Sequence, residues 1–156
     1  MTAPTAPTPT TGVRRAYVDV AHGQVHLRVA DPGPTTRPPL VCLHMSPASG
    51  LVYERFAGVA GASRTVVAPD TAGYGASDPL PAYPTIGDYA RVVAEVVEAA
   101  GLGAPVDLLG YHTGSLTAVE LAGARPDLVR RVVTVSLPLF TPAELERLRG
   151  VYDPEP

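Results

Sequence analysis

Short apolar runs rich in β-branched residues alternate along this chain with stretches whose apolar residues fall at helical spacing. That alternation limits the fold more than any other feature. Leu40 to Leu43 is continuously apolar, as expected of a strand buried on both faces of a parallel sheet. Thr65 to Ala68, Val106 to Leu109 and Val132 to Leu137 read as further strands. Between them, Tyr89, Val92, Val93, Val96 and Val97 share one helical stripe. Thr85 with Asp88 three residues on predicts the cap of that helix, and Gly101 its stop. Leu51 to Ala60 reads as a short helix, and Ser115 to Ala124 as another, ended by Arg125-Pro126. Upstream, Tyr17, Val18 and Val20 form a strand before a turn at His22-Gly23. Val25, Leu27 and Val29 then alternate with His26, Arg28 and Ala30, the period of a half-buried strand. Strands alternating with amphipathic helices imply an α/β fold, a mostly parallel sheet with flanking helices and right-handed crossovers. No internal repeat is visible.

Length and composition set the outer limits. A chain of 156 residues is the size of one domain, and 46% hydrophobic residues suit a packed core. The first twelve residues, rich in Thr, Ala and Pro, are expected to form a disordered tail. Residues 13–140 form the domain, and 141–156 a short helical signal (Pro142 to Leu148) running into a second tail that stops at Asp153-Pro154-Glu155-Pro156. Met1 to Thr11 lacks the basic start and apolar centre of a signal peptide. No run approaches the roughly 20 apolar residues of a membrane span. The expectation is a cytoplasmic protein without membrane contact.

Several reaction classes drop out. All 12 basic residues are arginine, so no lysine is present to form a Schiff base or complete a phosphate-binding loop. Cys42 is the single cysteine, which excludes an intrachain disulfide and argues against a cysteine-based zinc site. A net charge of −3 gives no basic field for nucleic acid. Neither Gly73-x-Gly75 nor Gly101-x-Gly103 has the third glycine of a dinucleotide fingerprint. No cofactor is suggested.

Open parallel sheets carry their sites at the carboxyl ends of strands. Three such ends are informative: His44-Met45-Ser46-Pro47, Asp70 to Asp78, and Gly110-Tyr111-His112-Thr113-Gly114. In the third, two glycines flank a central residue, the pattern of a sharp strand-to-helix turn that lifts one side chain above the sheet.

At these residues the chain resembles the α/β-hydrolase fold family. His44-x-Ser46-Pro47 is similar to the family's His-Gly-x-Pro oxyanion loop. Asp70-x-x-Gly73-x-Gly75-x-Ser77 is similar to its Asp-x-x-Gly-x-Gly-x-Ser loop. Gly110-x-His112-x-Gly114 is similar to its nucleophile elbow, and Ala124-Arg125-Pro126 to the segment after it. The resemblance spans Tyr17 to about Phe140. It implies ancestry in hydrolysis of an ester, lactone or similar small-molecule bond, with His112 as the catalytic candidate. The backbone N–H groups of Ser46 and Thr113 are the implied oxyanion donors.

The departures are as informative as the matches. His112 stands where the family usually has Ser, Asp or Cys, and its role stays open between nucleophile, base and inert substitution. Met45 replaces a usual glycine, so it must take another conformation or bear strain. The resemblance implies a fold truncated before the cap and the last strands, with 141–156 either the start of a cap-like segment or a disordered tail, and without the acid and His that complete a triad. A catalytically incomplete fragment, a non-catalytic binding module, or half of a split enzyme is the alternative. In that case self-association or a partner chain covers the exposed sheet edge beside the last strand. If the chain is active, its partner is a small-molecule substrate.

The remaining polar residues read as structural. His44 is expected to hold its loop, Asp70 and Ser77 to fix theirs by side-chain to backbone bonds, and Ser115 to bond at its helix start. His22 and His26 are expected outside the chemistry, and Cys42 to be an inert core residue. Asp107 and Glu120 have no evident pairing partner in the sequence.

Overall fold

In the computed structural model, residues 11–152 are described. The terminal segments, and with them most of the expected first tail and the last four residues, lie outside the described residues. The chain opens with a hairpin, β1 (Val13–Val20) and β2 (Gly23–Ala30). There follow β3 (Leu40–Leu43), a 3-10 turn (Gly50–Tyr53), α1 (Glu54–Ala60), β4 (Val66–Pro69) and α2 (Ile86–Ala99). The last elements are β5 (Val106–Tyr111), α3 (Thr113–Ala124), β6 (Val129–Val135) and α4 (Pro142–Tyr152).

The six strands form one mixed sheet in the order β1-β2-β4-β3-β5-β6. β1 and β2 pair antiparallel, as do β2 and β4. β4, β3, β5 and β6 run parallel. The continuous apolar runs end up where such runs belong: all four residues of β3 and all four of β4 are buried.

On one face, α2 and α3 cover the sheet. Val93, Val97 and Leu121 pack there with Leu43, Val106 and Leu108. Val92 and Val96 meet Val25, Leu27, Val29 and Val67. Each such buried Val or Leu contributes about 1.5–3 kcal/mol relative to exposure. The predicted cap of α2 forms in full. Thr85 Oγ1 accepts from the Asp88 amide, and the Asp88 carboxylate accepts from the Thr85 amide. Thr85, with help from Arg91, pulls the Asp88 carboxyl down to about 2. On the other face, α1 and the 3-10 turn bring Tyr53 and Ala57 against Ala30, Leu40, Cys42 and Val66.

Three expectations need correction. β2 is buried on both faces, not one: Ala30 is fully buried and His26 nearly so. The polar residues of its second face survive burial because they are paired, His26 with Asp70 and Arg28 with Glu54. The last parallel strand begins at Val129, three residues earlier than the apolar run suggests. Arg130 hid that start, yet its guanidinium belongs there, clasping Asp107 of β5 in two bonds of 2.8 and 2.6 Å. Asp107 therefore does have partners. Arg64 donates to it as well, at 2.7 Å, while also holding the Pro38 and Pro39 carbonyls. These two arginines, Arg130 first, hold the Asp107 carboxyl below the ordinary carboxylate range against the opposing effect of burial.

Candidate functional site

The sheet delivers three loops to the carboxyl ends of β3, β4 and β5, and the residues in them are tied together by hydrogen bonds. Asp70, directly after β4, is 3% exposed. Its carboxylate accepts from the Gly50 amide at 2.7 Å, the Ala76 amide at 3.0 Å and His26 Nδ1 at 2.9 Å. Ser77 Oγ accepts from the His26 amide and donates to the Asp70 carbonyl. Asp70 and Ser77 thus shape their own loop, and they also anchor it to β2. His26, expected to lie apart, is a full member of this network.

His44, after β3, is 1% exposed and uses both ring nitrogens. Nε2 accepts from the Thr71 amide at 2.8 Å, and Nδ1 donates to the Met45 carbonyl at 2.7 Å. An amide can only donate and a carbonyl can only accept, so the pair fixes one neutral tautomer. Burial lowers the His44 pKa from 6.5, outweighing the Met45 carbonyl and Asp70, which act to raise it. His44 therefore holds the β3 loop to the β4 loop. Met45 takes the first of its two alternatives: it is absent from the described non-glycine residues with positive φ, which are Tyr83, His112 and Ser136.

After β5 the chain turns sharply into α3. A Cβ at Gly110 would sit 2.5 Å from the Gly114 carbonyl oxygen, and a Cβ at Gly114 would collide with the Leu43 and His44 carbonyls. Only glycine fits at either place, because the first turn of α3 lies directly on β5 and on the end of β3. Between them His112 has φ 51° and ψ −115°, a region costing a non-glycine residue about 1–3 kcal/mol. Its amide donates to the Val135 carbonyl of β6 at 2.9 Å. Its imidazole is exposed and forms no hydrogen bond with the described residues. Thr113 is the first residue of α3, where the backbone N–H has no partner within the helix. Its hydroxyl accepts from the Ser46 amide at 2.7 Å. The structure thus brings the three candidates His112, Ser46 and Thr113 to one strand-end region, and closes the Ser46 N–H, one of the two expected oxyanion donors, onto the Thr113 hydroxyl. Ser115 departs from expectation: its hydroxyl donates to the Val135 carbonyl of the next strand rather than bonding at its own helix start.

Other candidate chemistry is quiet. Burial pushes the Cys42 thiol up to about 12. Among the described residues no cluster of three or more His, Cys, Asp or Glu is placed to hold a metal ion. No helix among them is long and apolar enough to cross a membrane.

Comparison with known proteins agrees with this geometry. The family described as the alpha/beta hydrolase fold matches residues 38–155, and the chain belongs to that family. Among solved structures, it is similar to an N-acyl homoserine lactonase, AidH, in its E219G form with N-hexanoyl homoserine (TM-score 0.72, 22% identity, 86% of this chain and 49% of that one). It is similar to a thermophilic esterase from Thermogutta terrifontis (0.71, 21%, 88% and 52%). It is also similar to an epoxide hydrolase from an endophytic Streptomyces (0.71, 27%, 83% and 38%). The chain spans about half the length of the first two and less of the third. No curated protein matches it in sequence.

Proposed function

We propose that this strand-end site acts on small acyl compounds, an ester, lactone or similar bond, with His112 as the reacting group. The observation that carries the reading is the state of His112. A bulky residue is held in a strained backbone at the top of the sheet, exposed, and bonded through its side chain to nothing described. Strain of that kind clusters where a side chain must be presented to a ligand. The turn is then a nucleophile elbow, and Ser46 and Thr113 line its oxyanion side. Two of the similar structures, named as a lactonase and an esterase, suit this class of bond, and the epoxide hydrolase does not.

An imidazole works as a nucleophile at neutral pH. A ring nitrogen of His112 attacks the acyl carbon and expels the alkoxide, which takes up the proton that the resulting acyl-imidazolium releases from its other nitrogen. Water then cleaves the acyl-imidazole, giving the carboxylic acid and free His112. No carboxylate among the described residues orients the ring, so the reaction is slow beside a full triad. A single buried thiol gains nothing from an oxidising compartment, and the cytoplasm is the setting this reading assigns. The test is hydrolysis of 4-nitrophenyl acetate by the full chain. The His112→Ala variant falls to the uncatalysed rate; an unchanged rate sinks the assignment.

A second reading has its own observation. On β6, Val133 is 56% and Val135 44% exposed, with Leu139 at 76% and Phe140 at 49% just beyond. Val133 and Val135 lie beside Leu109 and Tyr111 in register. Such exposed apolar residues beside a strand edge that no described strand pairs suit a covering polypeptide, either a second copy or a partner chain that completes the site. Light scattering over a concentration series tests the self-association arm: a clean monomer at all concentrations removes it.

A further inference from the structure

We propose that the Thr113 hydroxyl, rather than the Ser46 amide, is the donor this site presents to the oxygen of a bound acyl compound. This rests on the acyl-handling reading above. A backbone N–H carries one hydrogen, and that of Ser46 is committed to Thr113 Oγ1 at 2.7 Å. A hydroxyl that accepts one bond still has its own proton to give. Among the described residues that proton has no acceptor: the one bond given for the Thr113 hydroxyl is the one it receives from Ser46. The arrangement is therefore a relay, amide to hydroxyl to ligand, in which the first bond polarises the second.

The backbone on both sides is fixed, so the relay is held in place. Gly114 sits against the Leu43 and His44 carbonyls, which locks the start of α3 to the end of β3. The His44 imidazole holds the Met45 carbonyl, which shares one planar peptide group with the Ser46 amide. Thr113 is β-branched and half-buried, so its χ1 is restricted. The same contact also supports an opposite outcome: if the hydroxyl merely plugs the Ser46 amide, removing it opens the site.

Binding of methylphosphonate, a small tetrahedral oxyanion, separates these without needing turnover. The full chain, labelled with 15N, is titrated to about 50 mM, well above the millimolar range of a weak small-ligand site. The relay predicts that the Thr113 and His112 amide signals shift, and that Thr113→Ser keeps the affinity. It predicts that Thr113→Val and Thr113→Ala weaken affinity roughly 10- to 100-fold, the usual loss for a bond to a charged group. Equal or tighter binding by Thr113→Ala overturns the relay in favour of the plug. No shift at residues 112 and 113 in the parent chain overturns it outright. Amide dispersion matching the parent chain shows that each variant is folded, and the shifts at residues 112 and 113 of the parent chain carry the test if the larger changes are not. The ester assay with His112→Ala reports on the acyl-handling reading separately, so either claim can fail alone.

Discussion

His44 Nε2 accepts the Thr71 amide proton at 2.8 Å, so one imidazole joins the loop after β3 to the loop after β4. Protonating that nitrogen breaks the bond and charges a ring that burial keeps neutral. A base whose pKa is lowered by folding binds its proton more readily when unfolded. Its contribution to stability is full above its ordinary value of 6.5 and is lost as pH falls below it. The expected result is a falling thermal midpoint on acidification from neutrality. An imidazole 15N spectrum at pH 7 should show His44 neutral, with the proton on Nδ1. A doubly protonated ring at that pH contradicts the tautomer assigned here.

The turn at His112 holds a non-glycine residue in a costly backbone conformation. His112→Gly releases the strain of φ 51° at the cost of some chain entropy, and should stabilise the fold by about 1 kcal/mol in urea titration. The proposed ester hydrolysis is expected to be lost in the same variant. Gly114→Ala does the reverse kind of damage. Its methyl group is driven into the Leu43 and His44 carbonyls, which costs about 3 kcal/mol or prevents folding.

Asp70 is the hub of the loop network, and its removal is felt in folding before chemistry. Asp70→Ala strands the Gly50 and Ala76 amides and the His26 ring in a buried setting. A loss of about 3 kcal/mol is expected from equilibrium unfolding. A change within 0.5 kcal/mol, the ordinary range for surface substitutions, shows that the network is not what holds the loop.

Cys42 should behave as a core residue. With the thiol fully buried and pushed up to about 12, a disulfide reagent should leave it unmodified in the native chain and modify it promptly in urea. Prompt native reaction means that β3 opens far more often than its four buried residues suggest.

Much of this architecture was legible in the sequence because its signals are local. Leu40 to Leu43 is a strand with the bounds its apolar run announces, and Thr85 with Asp88 forms the cap their spacing predicts. The turn at Gly110 to Gly114 was equally local. What stayed hidden depends on partners far apart in the chain. Asp107 looked unpaired because Arg64 and Arg130 lie 43 and 23 residues away. The second face of β2 looked solvent-facing because His26 is satisfied by Asp70, 44 residues on. Nothing in the sequence linked the Thr113 hydroxyl to its donor, Ser46, 67 residues back. Periodicity reports which face of an element is apolar, and says nothing of which polar groups have found each other.

The central claim is that His112 is the group that reacts. It is tested most directly by trapping its acyl form. The full chain is mixed with 4-nitrophenyl acetate, quenched during turnover, and mapped by peptide mass spectrometry. The account predicts one acetyl group on the peptide containing His112, lost on standing in water and absent from His112→Ala. Continued hydrolysis with residue 112 unmodified, or with the acetyl group on another residue, contradicts it.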